Sequence, residues 1–510
     1  MARILWADDE IDSLKAHLIF LEQKGHSVHP VNSGNEAVEI FNNQQFDIVF
    51  LDENMPGMSG LVALEEIKSL SPNIPVIMIT KSEEEMIMEE AIGKQISDYL
   101  IKPVNPNQIL MAIKKLLDGK RLVSETNTMS YQQKFREISN ELNGSLDLND
   151  WKDLFKKLTF WEMQLELSDQ NMTEIFNMQK EEANQLFSKF IDKQYIDILE
   201  EKKHLQSHNL LSTELFPKLK SNSYFLIVID NLRYDQWITI KPLIEELFTI
   251  ENEDIYSSII PTTTQYARNA LFSGLTPLEI KRKYPNKWVD EETNEGKNMH
   301  EDFFLQENLS RNFINCKSAY FKITNLNSGK KLLSQFNNLL HNDLNAIVYN
   351  FVDTLSHART DMEVIKELAE DESAYRSITL SWFKHSPLYD IIKKISENKC
   401  KVMLTTDHGT IRVKSPTKVI GPKSTNSNMR YKVSKNLSYN KKDVLEANNP
   451  GKLMLPSNHL SSSYIFAKED HFFVYPNNYN HFANLYNDTF QHGGISMEEM
   501  LIPYVFLKSK

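Results

Sequence analysis

The chain has 510 residues, 41% hydrophobic and 25% charged, with 69 acidic against 57 basic side chains and a formal charge of −12. That balance excludes a disordered polyelectrolyte, opposes bulk attraction to nucleic acid, and leaves room for roughly three or four domains. Two cysteines with no CxxC, no basic-then-apolar opening, and no apolar run near the ~20 residues of a membrane helix predict a cytoplasmic protein without membrane insertion.

Residues 1–118 alternate the apolar runs ARILWA, HSVHPV, FDIVFLD, PVIMIT and ISDYLIKP with stretches of helical period. This order predicts a parallel sheet with helices on both faces. Residues 119–218 lose the strand signal and become rich in Glu, Lys, Gln and Leu. Large apolar residues recur there at helical spacing, as in Trp151, Phe155 and Leu158, then Ile175 and Met178, then Phe187, Phe190 and Ile191. An all-α helical bundle is expected, a linker whose Trp151–Trp161 stripe serves as core or dimer interface. Residues 219–510 return to strands: YFLIVID, EDIYSSIIP, NAIVYNFVD, KVMLTTD and a closing MLIPYVFLK. Their near-continuous apolar character predicts a second α/β domain with strands buried on both faces. A Ser-, Asn- and Lys-rich insert, 413–455, reads as a loop or cap. Its Lys423, Arg430 and Lys432 read as a basic rim for a polyanion or as solvated loop.

Asp8, Asp9 and Asp52 each follow an expected strand, Thr80 ends another, and Lys102 precedes Pro103. Three carboxylates beside one lysine can hold Mg²⁺, neutralise an incoming phosphoryl group and leave Asp52 as nucleophile. Thr80 can hydrogen-bond the resulting aspartyl phosphate and, with Tyr99, form a two-state switch. The paired acids, the Asp-Glu-Asn-Met-Pro-Gly-Met-Ser-Gly run, Thr80 and Lys102-Pro103 resemble the receiver family of response regulators, over the whole first segment. The resemblance implies a CheY-like doubly wound fold, phosphorylation on Asp52 and a partner histidine kinase. Lys81, where a small residue is more usual, and Asn54 are departures that tune the chemistry without removing it.

In the last segment Asp230 ends YFLIVID, and Pro261-Thr262-Thr263-Thr264 enters a helical pattern with Arg268 and Asn269. Asp353 and His357 stand four apart, Asp407-His408-Gly409 follows KVMLTT, and His492-Gly493-Gly494 comes late. Three aspartates and three histidines exceed one tetrahedral site and divide between two Zn²⁺ ions. A metal pair suits in-line displacement at phosphorus, and a threonine hydroxyl beside it can be the nucleophile. A helix N-terminus at Thr264 favours a bound anion. Other histidines (His204, His208, His341, His385, His459, His471 and His481) show no ligand spacing.

These motifs resemble the alkaline phosphatase superfamily and its PglZ branch. The resemblance implies one zinc held by Asp230, Thr264, Asp407 and His408, and another by Asp353, His357 and His492. It selects Thr264 over Thr262 and Thr263 as nucleophile. Arg268 and Asn269 are candidate contacts to substrate phosphate, with ordinary helix surface as the alternative.

Receiver, helical linker and PglZ-like domain together resemble the response regulators of type IX secretion in Bacteroidetes. That implies homodimerisation on phosphorylation and a zinc phosphodiesterase acting on linear or cyclic oligonucleotides. Two rival readings come from other classes. One is a regulator that binds a transcription (sigma) factor or a secretion component, with the metal domain as scaffold. The other is a phosphomonoesterase.

Overall fold

The computed structural model describes residues 2–72, 74–80, 96–166, 170–201, 203–219, 223–290, 296–361, 371–422, 425–457, 459 and 461–510. The side chains of 118–128, 170–171 and 357–361 lie outside that description. Lys81, Lys423 and the side chain of His357 therefore lie outside it too. The chain divides into two compact units, Met1–Gln132 with Leu167–Asp169, and Gln133–Glu166 with Gln170–Lys510. Among the described residues no helix is long and apolar enough to cross a membrane.

The first unit carries five strands: β1 (Arg3–Ala7), β2 (Ser27–Val31), β3 (Ile48–Asp52), β4 (Val76–Thr80) and β5 (Asp98–Ile101). They are parallel and ordered β2-β1-β3-β4-β5. Side chains alternate across the strands, so each run feeds two cores. Leu5, Val49, Leu51 and Met78 pack on one side, and Ile4, Trp6, Phe50 and Ile77 on the other. Helices cover both. Ser33 and Ser59 cap two of them, Gly34–Asn43 and Gly60–Leu70, by accepting from backbone N–H groups. The strand order reverses between β1 and β3, which opens a crevice at their carboxyl ends. Asp8 and Asp52 stand there.

The second unit is built on a six-stranded sheet. Its strands are β6 (Tyr224–Ile229), β7 (Phe248–Ser257), β8 (Ser318–Ile323), β9 (Leu344–Tyr349), β10 (Lys401–Thr405) and the closing strand Leu501–Ser509. The order is β7, closing strand, β10, β6, β9, β8. β10, β6, β9 and β8 run parallel, and the closing strand is antiparallel to both its neighbours. β6 and β9 are buried throughout, as their unbroken apolar runs require.

Of the linker helices, Leu148–Leu165 and Gln170–Glu200 belong to the larger unit. Trp151 packs edge-on to Phe187 at 5.4 Å, which joins these two helices to each other, and Phe155 meets Tyr234 at 6.0 Å, which seats them on the α/β fold. Three sequence expectations change. The half-buried edge strand β8 was not anticipated, because Ser318 and Lys322 interrupt its apolar pattern. Asp353 and His357 stand within a helix, Phe351–Asp361, and not at a strand end. The insert is not a loop. Tyr431–Lys435, Ser462–Ala467 and Val444–Ala447 form an antiparallel three-stranded sheet. Arg430 and Lys432 are buried within it, which excludes both the basic rim and the solvated loop for these two.

Candidate active site

The crevice of the first unit gathers the expected carboxylates. Asp8, Asp9 and Asp52 bring one acid oxygen each to within 4.8 Å of the others. Lys102 Nζ lies 2.8 Å from Asp8 Oδ2 and 3.1 Å from Asp52 Oδ1. Burial pushes the Asp52 carboxyl up to about 6, against the opposing charge of Lys102. Burial also works against the Lys102 charge, but Asp8 and Asp52 outweigh it and raise its pKa. The Thr80 hydroxyl donates to Glu53 Oε2 at 2.7 Å, a partner that the motif does not reveal. Gly60 closes the Asp52 loop: a Cβ there would stand 2.2 Å from the Asp52 carbonyl oxygen. Tyr99 is half-buried, and burial raises its phenol pKa. Asn54 is exposed.

The second site forms where β6, β9 and β10 end. Asp230 follows β6, and its N–H donates to the Tyr349 carbonyl at the end of β9 (2.9 Å). Asn231 takes a left-handed conformation, φ 63°, which asparagine tolerates better than most residues. The turn aims the Asn231 N–H at Asp407 Oδ1 (3.2 Å) and its side chain at Ser356 (3.2 Å). Asp230, Asp407 and His408 are fully buried, with one ligand atom each within 4.8 Å of the others.

Thr264 opens the helical turn after β7, and its half-buried hydroxyl faces this cluster. Oγ1 lies 3.3 Å from Asp230 Oδ1 and 3.2 Å from His408 Nε2. The neighbouring threonines differ. The Thr262 hydroxyl donates to the Gly494 carbonyl and accepts from the Gly493 N–H, both at 3.0 Å. Thr263 is buried, and its hydroxyl lacks a hydrogen-bond partner among the described residues.

His492 brings in the other half of the expected donors. Its Nε2 lies 3.5 Å from Asp353 Oδ1, and its ring stacks on that of His408 with centroids 4.4 Å apart. Its Nδ1 is 3.2 Å from the Thr262 carbonyl, and His408 Nδ1 is 3.1 Å from the Gly409 carbonyl. A carbonyl can only accept, so each Nδ1 carries a proton. Metal-ligating histidines are oriented in this way. Burial works against a charge on His492, but its hydrogen bond to Asp353 outweighs it and raises its pKa. Gly409 permits the close approach of the two loops, since a Cβ there would meet the Glu498 carbonyl at 2.0 Å. Burial drives the His408 pKa down to about 4, favouring the neutral ligand form. Burial, with Asp407 and Asp353 nearby, holds Asp230 well above the usual carboxylate range against the pull of Arg268. Buried, mutually repelling carboxylates beside the neutral His408 imidazole suit a divalent cation.

Arg268 and Asn269 are not helix surface: both are buried. Arg268 Nη1 sits 2.6 Å from Asp230 Oδ2, and its Nε donates to Glu301. Asn269 donates to the Gln265 carbonyl at 2.8 Å and to the Lys297 carbonyl at 3.2 Å. The described partners of Arg268 are thus carboxylates of the protein itself. Glu301 went unnoticed in the sequence because it stands 33 residues from Arg268 with no motif around it. Among the other histidines, His204 is buried, 3.2 Å from Glu201, and His471 Nδ1 lies 2.9 Å from the Thr417 hydroxyl.

Comparison with known proteins follows the same division. Residues 4–114 match the response regulator receiver domain, and 121–199 match the family described as the PorX response regulator linker domain. Residues 210–507 match the BREX system PglZ alkaline phosphatase-like domain. The transcriptional regulatory protein ZraR of Escherichia coli K12 is 36% identical over 114 residues, 22% of this chain and 26% of ZraR. The CpxR homologue of Haemophilus influenzae is 33% identical over 132 residues, 26% of this chain and 56% of that protein. The chain thus spans well under two thirds of these relatives. A receiver domain structure from Clostridium thermocellum is 32% identical, covering 24% of this chain and 98% of its own, with a TM-score of 0.23. A receiver implies a histidine kinase as partner and commonly uses Mg²⁺, and alkaline phosphatase-like domains use metals. With more than half its length in one match, the chain belongs to the PglZ family of alkaline phosphatase-like domains, joined to a response-regulator receiver.

Proposed function

We propose that the chain is a phosphorylation-controlled phosphodiesterase. A histidine kinase phosphorylates Asp52, and the effector unit hydrolyses linear or cyclic oligonucleotides with Thr264 as nucleophile. The observation that carries this reading is the position of the Thr264 hydroxyl between Asp230 and His408.

Asp230, Thr264, Asp407 and His408 would hold one zinc ion, and Asp353, His357 and His492 the other. Bound zinc would supply positive charge that acidifies the Thr264 hydroxyl and offsets charge on the phosphoryl oxygens. The chain's own part is positional. The tight turn at Asn231 fixes Asp230, the carbonyls of Gly409 and Thr262 fix the two imidazoles, and the helix start aims Thr264 at the cluster. Arg268 bridges Asp230 and Glu301 and orients the first carboxylate. In the receiver, Asp8, Asp9 and Asp52 would hold Mg²⁺, and Lys102 would neutralise the phosphoryl oxygens. Thr80 and Tyr99 would carry the switch. Phosphorylation would favour a homodimer. The linker match supports a place in the control of type IX secretion, with a sigma factor or a secretion component as a further partner.

Metal analysis and a panel of phosphate mono- and diesters, assayed with zinc or manganese and with or without acetyl phosphate, test the proposal. Zinc-dependent diester hydrolysis that changes with acetyl phosphate is expected. Monoester-only turnover would overturn the diesterase reading. Absence of any hydrolysis by zinc-loaded protein would overturn the enzyme reading.

A further inference from the structure

The helix Gln170–Glu200 meets residues 495–498 and Ile260 along one polar row. Lys180, Asn184, Ser188, Asp192 and Tyr195 recur at steps of three or four, which places them on one helix face. Asn184 is buried and bonds with both ends of its amide. Its Oδ1 accepts from the Met497 N–H, and its Nδ2 donates to Glu498 Oε2, both at 2.9 Å. Lys180 Nζ pairs with Glu498 Oε1 at 3.0 Å. The Ser188 hydroxyl donates to the Ile495 carbonyl at 3.4 Å. The Tyr195 hydroxyl accepts from the Ile260 N–H at 2.9 Å, four residues before Thr264.

The segment held in this way starts directly after His492-Gly493-Gly494 and reaches the other half of the site. The Glu499 carbonyl accepts from the Gly409 N–H at 3.0 Å, next to His408. Apolar contact through Phe187 and Ile191, both fully buried, would be enough to dock a helix, but it would tolerate sliding. An amide satisfied at both ends is different. A shift along the helix would leave a buried donor and acceptor unpaired, and each would lose its hydrogen bond with no water to replace it. Asn184 therefore fixes the register of the helix against the segment that carries His492.

We propose that Asn184 is a positioning residue for the metal centre: by holding Met497 and Glu498 it sets where His492 stands relative to His408. This rests on the two-metal reading above.

The test uses the full chain. Asn184→Asp turns the donor that faces Glu498 into an acceptor. Adding Glu498→Gln restores the pair with reversed polarity. Two readouts are independent of turnover: hydrogen exchange of the Gly493–Met500 amides in metal-free protein, and zinc affinity by competition with a chromogenic chelator. The third is the split between kcat and KM on bis(p-nitrophenyl) phosphate. Asn184→Asp should speed exchange in that segment and weaken zinc binding by about 10–100-fold. It should lower kcat with little change in KM. The double variant should recover to within roughly threefold of wild type on all three, the residue being ordinary scatter between coupled variants.

Wild-type exchange and zinc affinity in Asn184→Asp would overturn the proposal, as would a double variant no better than the single one. If Asn184→Asp does not fold, Asn184→Ser gives the same exchange comparison, with unchanged protection as the overturning result. A wild-type protein that binds zinc without hydrolysing the diester contradicts the proposed activity, and the exchange and affinity results still judge Asn184.

Discussion

The imidazole rings of His408 and His492 stack with centroids 4.4 Å apart and planes 20° from parallel. His408 belongs with Asp230 and Asp407, and His492 with Asp353, so the stacked pair is the seam between two donor sets. Each ring is pinned through its Nδ1 to a backbone carbonyl, which fixes the Nε2 atoms where they face Asp230 and Asp353.

That seam predicts separable metal sites. His492→Ala should lower bound zinc from two ions per chain to one, measured by elemental analysis, and His408→Ala should spare the ion at Asp353. Retention of two tightly bound ions in His492→Ala would contradict the division.

Arg268 is held between Asp230 and Glu301, all three buried. Removing it leaves the buried Asp230 without its cation and Glu301 with Lys322 alone for a cation among the described residues. Arg268→Ala should cost about 3 kcal/mol in metal-free protein. Added zinc should restore part of that loss, because a cation at Asp230 replaces the missing charge. Chemical denaturation with and without zinc measures both effects.

Burial raises the Asp52 pKa to about 6, above its unfolded value of 3.8. Between those two values the folded state keeps a proton that the unfolded state has lost, so stability falls as pH rises from about 4 to 6 and stays reduced above. In EDTA, Asp52→Asn should therefore raise stability by about 1–2 kcal/mol at pH 7.5, and by much less near pH 4. Mg²⁺ should stabilise wild type and not the variant. Thermal melts at the two pH values check the sign.

Lys432 is buried, donates to the Asn426 carbonyl at 2.8 Å, and lies 4.6 Å from the centre of the Tyr475 ring. Burial lowers its pKa from 10.5 to about 7. Between pH 7 and 10.5 the unfolded chain binds a proton that the folded chain does not. The lysine's contribution to stability therefore rises through that window and is poorest below pH 7. Lys432→Met should be more stable than wild type at pH 6.5, and the difference should shrink by pH 9. A gap that stays constant over that range would contradict the burial of an uncompensated amine.

Much of this was legible in the sequence, and the failures share a cause. The central strands announce themselves through unbroken apolar runs, and Asp230, Thr264 and Asp407-His408 group together because each follows an expected strand, whereas His492 joins them only through the family resemblance. For Arg268 the sequence offers a phosphate contact or ordinary helix surface; burial removes the second, and the pairing with Glu301, distant in sequence, is invisible to local pattern. Arg430 and Lys432 looked solvated because charged residues in a Ser- and Asn-rich stretch usually are. Arg430 is buried against Glu499 at 2.6 Å, a partner from the far end of the chain. Local pattern carries strands and ligand order; burial of charge depends on contacts that no local pattern contains.

The most direct test of the account is hydrolysis of bis(p-nitrophenyl) phosphate by zinc-loaded full-length protein, comparing wild type with Thr264→Ala and Thr263→Ala. The account predicts turnover in wild type and Thr263→Ala, and a loss of more than about 10³-fold in Thr264→Ala with zinc still bound. Wild-type turnover in Thr264→Ala would contradict it.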